Sequence, residues 1–236
     1  MPILAVHFYC EPMGDALLTF FKRLKWFLVP FAVFFVAGLV FLTFSEKGSE
    51  VLWLNSVSKP AWDGFFLFIT DAGLATLPAV VAAVLLIFNF RWSMVITLSL
   101  CWSGLITYVT KNWLLPGCFR PFHHFYYDDF TRFIHDAPLI YFNSFPSGHS
   151  MAIFAFCAAL AYLIGKTLPS ILLFFFALLV GVSRIYLLQH FGADVVAGSF
   201  LGIVAAFLAV LILDFGFHIG NKKGFGRGLK DVFGRK

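Results

Sequence analysis

Apolar residues fall in six long runs along the chain, separated by short polar breaks. Each run approaches or exceeds the about 18–20 residues that cross a bilayer as a helix. The pattern predicts spans at 26–44, 65–88, 93–114, 148–165, 169–188 and 194–214. "SEKGSE" at 45–50 ends the first span, "NFRW" at 89–92 links the second to the third, and "GKTLPS" at 165–170 links the fourth to the fifth. The expected fold class is all-α, a six-transmembrane-helix bundle forming one integral membrane domain over 1–236. The longest stretch outside the spans, 116–146, carries "RPFHHFYYDDF". A loop of that length is often functional.

Composition strengthens this reading. The chain is 61% hydrophobic and holds 33 Phe, with 12% charged residues. Soluble domains carry about 25% charge, so a soluble globular protein is excluded. The net charge of +5 reflects topology, because the basic residues sit mostly between spans and form no aromatic-interleaved patch for nucleic acid. With the N-terminus inside, eleven of the seventeen Lys and Arg fall on the inner side, among them Lys22, Arg23, Lys25, Arg91 and Lys166. That bias places both termini in the cytoplasm. Residues 1–25 read as an interfacial N-terminal segment and 215–236 as a basic cytoplasmic tail. The N-terminus lacks the basic n-region and cleavage site of a signal peptide.

The four cysteines, Cys10, Cys101, Cys118 and Cys157, show no metal spacing. Cys101 and Cys157 read as small core residues, and no disulfide is expected. Gly198, Gly202 and Ala206 recur at four-residue spacing in the sixth span, as helices need for close approach in lipid.

Ionisable groups at span edges change the picture. Each is costly in a membrane unless paired or wet. Lys111 closes span three, His149 opens span four, Arg184 and His190 close span five, and Asp194 opens span six. The predicted topology carries all five to the outer side, and Arg120 lies in the outer loop. Three cations suit a multiply charged oxyanion. Two histidines can serve as nucleophile and general acid, and a carboxylate can hold one imidazole in the required tautomer. The set reads as a phosphoryl-transfer site that uses no metal and no other cofactor. "PSGH" at 146–149 fits it: Ser147 and Gly148 offer backbone N–H groups and a helix dipole to an anion. His123, His124, Asp128 and Asp129 match no metal motif. Phe122, Phe125, Tyr126, Tyr127 and Phe130 fit either a wall for lateral lipid access or an interfacial aromatic belt.

These residues resemble the type 2 phosphatidic acid phosphatase (PAP2) superfamily. "SRIYLLQHFGAD" from Ser183 to Asp194 has the pattern S-R-x5-H-x3-D, "PSGH" matches the second motif, and Lys111 with Arg120-Pro121 supplies the first. The resemblance implies that His190 is the nucleophile, oriented by Asp194. It implies that His149 protonates the leaving oxygen and later activates water. Lys111, Arg120, Ser147, Gly148 and Arg184 are implied phosphate ligands. Eight residues separate Lys111 from Arg120, two more than the superfamily usually has, and Pro116-Gly117 supplies a turn for the excess. The expected activity is a metal-independent lipid phosphate phosphatase working through a phosphohistidine. Undecaprenyl diphosphate, lipid A and phosphatidylglycerol phosphate are the candidate substrates. The expected location is a bacterial inner membrane with the site facing the periplasm. A lipid phosphotransferase sharing the intermediate, and a carrier of phosphorylated lipid or anion, are the alternatives.

Overall fold

A computed structural model describes residues 13–125, 129–134, 137, 138, 140–221 and 224–233. Among these residues the regular secondary structure is all helical. The main helices are α1 (Met13–Phe44), α2 (Ser49–Val57), α3 (Pro60–Ala72), α4 (Thr76–Phe88) and α5 (Phe90–Val109), followed by the short α6 (Pro121–His124). The last four are α7 (Gly148–Ile164), α8 (Thr167–Tyr186), α9 (Gly192–Val210) and α10 (Leu229–Phe233).

Local sequence explains the breaks. Gly48 takes a left-handed φ of 83° between α1 and α2, Pro60 opens α3, and the Asn89 side chain accepts the Trp92 N–H at the start of α5. Ser147 caps α7 at one end, and Gly165, with φ 63°, ends it at the other. These are the usual stop and start residues of helices.

The span pattern is only partly as expected. Four helices are long and apolar enough to cross a membrane: Leu17–Phe44, Phe90–Leu114, Thr167–Tyr186 and Gly192–Gly216. The predicted second span is a broken pair, Pro60–Asp71 and Thr76–Phe88, bent by 46°. The predicted fourth span is α7, with 17 residues. At 1.5 Å per residue it is about 25 Å long. Its side chains are almost all buried against α5, α8 and α9, so it forms the centre of the bundle and meets little lipid. The 13–25 stretch continues directly into the first span, because Phe20, Leu24, Phe27 and Phe31 keep one helical stripe buried in the same core. Residues 1–12 and Cys10 lie outside the described residues.

One further expectation changes. Cys157 is buried, but Cys101 is exposed on α5. The described part of the C-terminal segment packs against the α4–α5 link. Phe90 and Arg91 N–H groups donate to Arg227 and Phe225 carbonyls, and Gly228 lies so close that a Cβ there would meet Ile87 O at 2.1 Å.

Helices α7 and α9 make the largest contact in the molecule. A Cβ at Gly198 would stand 2.6 Å from Ser147 O, and one at Gly202 2.5 Å from Met151 O. The small-residue stripe therefore brings the backbone of α9 against the first turns of α7. This contact sets the beginnings of both helices, with His149 and Asp194, side by side.

Candidate active site

The ends of α5, α8 and the starts of α7 and α9 meet at one end of the bundle. His190 lies in the turn between α8 and α9, 1% exposed, with Gln189 and His190 N–H groups both donating to Arg184 O. The last turn of α8 thus anchors the backbone of the turn that carries the imidazole. Asp194 occupies the first turn of α9 and is 4% exposed. Its Oδ2 lies 3.3 Å from His190 Nδ1 and accepts the Phe191 N–H at 3.0 Å. The proton of a neutral His190 on Nδ1 faces the carboxylate, which leaves Nε2 with a free lone pair. Burial first, and then the charges of Arg120, Arg184 and Lys111, hold the imidazole well below its ordinary pKa range. It is therefore neutral at physiological pH.

His149 stands at the second residue of α7. The residue two before it, Ser147, gives its N–H to Asp194 O, and His149 shares a cleft with Lys111, so His149 stands at the same end of the bundle as the other predicted site residues. Gly73, in the break between α3 and α4, packs against His149, where a Cβ would meet the His149 Cβ at 3.4 Å. His149 and Lys111 line a cleft of about 450 Å³ between that break and α5, with Leu100, Gly104 and Thr107. A second cleft of about 440 Å³ approaches Asp194 from the α1–α2 turn, lined by Leu42, Lys47, Glu50 and Phe145.

The cations donate to neutral oxygens. Arg120 is 7% exposed and gives Nε to Phe142 O at 2.9 Å and Nη1 to Gln189 O at 3.0 Å and Gln189 Oε1 at 3.2 Å. Burial lowers its pKa, with Asp194 acting in the opposite sense. Arg184 is 5% exposed, donates Nη1 to Thr70 Oγ1 at 2.6 Å, and has a buried Nε without a partner. Lys111 Nζ donates to Asn143 O at 2.9 Å. Asn143 adopts φ 57°, a conformation Asn tolerates better than most residues.

The long first motif is accommodated as its Pro-Gly pair foretold, with one addition. Thr110–Leu114 form a π-helical turn, and Gly117 takes φ 76°. A π-turn takes up extra residue length inside a helix and is frequent at functional sites. Lys111 stays at the cluster as a result.

The predicted amide cradle is narrower than expected. The Ser147 N–H is already given to Asp194 O at 3.0 Å, because the two helix starts are in backbone contact. The Ser147 Oγ accepts from Ser150 as the helix cap. Gly148 and His149 carry the next N–H groups of the helix start.

Four participants escaped sequence reasoning: Ser144, Gln189, Thr70 and Asn143. Ser144 Oγ donates to Asp194 Oδ2 at 2.5 Å. Its only sequence signal is a position three residues before Ser147.

The 120–134 loop is pinned from below. Asn55 of α2 bonds both Thr131 and the Arg132 carbonyl, and the Arg132 guanidinium forks onto Asp63, which also accepts the Tyr186 hydroxyl at 2.6 Å. His123 stacks on Phe119, whereas His124 turns edge-on to Phe191. Among the described residues no three His, Cys, Asp or Glu come together as a metal would need. Asp128, Tyr126 and Tyr127 lie outside the described residues.

A buried imidazole thus lies beside a carboxylate, with Arg120, Arg184 and Lys111 at the same end of the bundle and no carboxylate within ion-pair distance of them among the described residues. The chain belongs to the PAP2 superfamily, whose family model matches residues 92–217. Phosphatidylglycerophosphatase B of Bacillus subtilis (strain 168) is 30% identical over 166 residues, which span 66% of this chain and 73% of that protein. The crystal structure of the first transmembrane PAP2 type phosphatidylglycerolphosphate phosphatase from Bacillus subtilis aligns with a TM-score of 0.56 at 26% identity, over 86% of this chain and 98% of the other. LpxE of Aquifex aeolicus aligns with a TM-score of 0.57 over 71% of this chain and 96% of the other; at 23% identity this speaks to the fold.

Proposed function

We propose that the protein removes a terminal phosphate from a membrane lipid through a phosphohistidine on His190. The chain is an integral membrane phosphatase, a hydrolase of phosphoric esters in the PAP2 superfamily. The observation that supports the finer reading is the gathering at one end of the bundle of buried His190, Asp194, Arg120 and Arg184 with half-buried His149 and Lys111.

Neutral His190 attacks phosphorus through Nε2 while Asp194 accepts the hydrogen bond of the Nδ1–H, which stays on the ring. Lys111, Arg120 and Arg184 offset the charge on the phosphoryl oxygens, joined by the Gly148 amide and the Ser147 hydroxyl. His149 gives its proton to the leaving oxygen and then takes one from water, which opens the P–N bond. A positioned acid of this kind contributes about 10²–10⁴-fold, and each fixed donor about 10²–10³-fold. These residues neutralise the phosphate without a metal. The alkyl part of the leaving group fits the largely apolar cleft lined by His149.

With the broken α3–α4 pair and α7 completing the four long spans the chain crosses six times, and the positive-inside bias then sets its orientation. Both termini are then cytoplasmic, and the site faces the periplasm of a bacterial inner membrane. The kinship to phosphatidylglycerophosphatase B favours phosphatidylglycerol phosphate as the lipid, ahead of undecaprenyl diphosphate and lipid A.

The test is phosphate release by purified protein in detergent. All three lipids are assayed with and without excess EDTA, wild type beside His190→Gln. Fastest release from phosphatidylglycerol phosphate, insensitive to chelator and lost in the variant, is expected. Retained turnover in His190→Gln would sink the assignment.

A further inference from the structure

We infer that Ser144 is a positioning residue for phosphoryl transfer, because its hydroxyl pins the Asp194 carboxylate that orients His190. This rests on the phosphohistidine chemistry proposed above.

Ser144 is 1% exposed. Its hydroxyl donates to Asp194 Oδ2 at 2.5 Å, and its Oγ stands 3.5 Å from His190 Nδ1. One carboxylate oxygen therefore faces three groups: the Ser144 hydroxyl, the Phe191 N–H and His190 Nδ1. Two of these donors fix the oxygen in place. The third is the ring it must hold. A carboxylate with the backbone contact alone can rotate about its last torsion, which is broad in energy. The hydroxyl removes that freedom from a second direction.

Ser144 is itself held rigidly. Its N–H donates to Cys118 O at 3.0 Å. The two residues before it are tied to the cations: Phe142 O accepts from Arg120 and Asn143 O from Lys111. The strand of loop 142–144 thus touches the phosphate-facing cations with its carbonyls and the nucleophile's carboxylate with its serine. It sets the distance between charge receptor and nucleophile. The Ser144 backbone also bears on the imidazole and favours its charged form.

That last feature matters in the transfer step. The Nε2 lone pair forms the P–N bond, and the P–O bond to the leaving group breaks. The leaving oxygen takes its proton from His149. The ring keeps its Nδ1 proton and becomes a cation. A fixed Asp194 Oδ2 is then bonded to a charged donor, so the contact strengthens as the reaction proceeds. Losing the Ser144 hydroxyl weakens this gain and leaves substrate binding intact, since the hydroxyl is spent on Asp194.

Ser144→Thr and Ser144→Val test this directly, because the two replacements have the same shape and differ in one hydroxyl. Each is purified in detergent and given radiolabelled phosphatidylglycerol phosphate, or labelled undecaprenyl diphosphate if the first is not hydrolysed. Turnover and rapid-quench labelling of His190 are both read. The valine variant is expected to fall about 10- to 100-fold below the threonine variant in kcat and in labelling rate, with KM and melting temperature shared by the two. Ser144→Ala should match valine. Equal rates for threonine and valine would overturn the assignment, as would a difference confined to KM. An unlabelled His190 in the wild type would instead count against the phosphohistidine itself, whatever the threonine–valine difference.

Discussion

The two ends of the helix bundle hold their arginines in opposite ways. At the end near the α4–α5 link, Arg91 forks onto Asp214 with bonds of 2.9 and 2.6 Å, and Tyr162 donates to the same carboxylate at 3.0 Å. At the other end, Arg120 and Arg184 are more deeply buried, yet they face carbonyl, amide and hydroxyl oxygens. Among the described residues no carboxylate stands within ion-pair distance of either, or of Lys111. The difference is one of partners rather than of location, since Arg132, at the same end as the site, is forked onto Asp63. A buried cation that lacks its counter-ion is expensive. Two such cations, Arg120 and Arg184, stand here with the half-buried Lys111, and an anionic ligand would supply the missing charge. The paired arginines close the structure, and the unpaired ones leave it short of an anion.

The sharpest way to break this contrast is at the nucleophile. His190→Gln should lower turnover by at least about 10⁴-fold, as removal of a nucleophile or its base does elsewhere. It should also abolish labelling of the protein by substrate phosphate. His149→Ala comes next, with a fall of about 10²–10⁴-fold. A leaving group of low basicity needs less protonation, so a p-nitrophenyl phosphate ester should be affected much less than a lipid ester. Equal losses on both would remove His149 from the acid's role.

The arginines themselves provide a crossed test. Arg184→Met should cost about 10²–10³-fold in kcat/KM while leaving the denaturation midpoint in detergent unchanged or higher, because it removes a buried charge without a counter-ion. Arg91→Met should do the reverse. It strands Asp214 and costs about 2–3 kcal/mol of stability, with kcat per folded molecule retained. If both variants lost activity in proportion to stability, the two ends would not differ in kind.

The residues of the proposed site were conspicuous in the sequence because they are costly where they stand. A histidine, arginine or aspartate at a span edge draws attention, and span direction alone sorts them to one face. The residues that steady them gave no such signal. Ser144, Thr70 and Gln189 are cheap, common side chains, and each acts across 50 or more residues of chain. Hydropathy also found the apolar runs without telling what surrounds them. Helix α7 is as apolar as its neighbours, but protein rather than lipid covers it, and a run of that length fits either setting. The break at Gly73 lies inside the apolar run 65–88, beside Thr70 and Asp71, and only the packing of Gly73 against Val180 and His149 reveals its use. Helix α2 is short, and one of its four polar residues, Asn55, carries bonds that pin the outer loop.

The smallest expected effect concerns acid. His190 is held below its ordinary pKa by burial and by the neighbouring cations. In the unfolded chain its pKa is near about 6.5. As pH falls below that value the unfolded chain binds a proton that the folded protein refuses. Stability attributable to His190 is therefore complete above the unfolded pKa. It is lost as pH drops toward the folded value, at up to about 1.4 kcal/mol per pH unit. A bound anion reverses this, because phosphate offsets Arg120, Arg184 and Lys111 and lets the ring protonate more readily. Denaturation midpoints measured from pH 7.5 down to 5 should fall less steeply in His190→Gln than in wild type, and the wild-type slope should flatten in saturating inorganic phosphate. Paired arginines predict no such coupling, so Arg91→Met should leave the phosphate effect intact. Parallel acid profiles for wild type and His190→Gln would mean that the cations at this end are neutralised already, and the contrast between the two ends would fail.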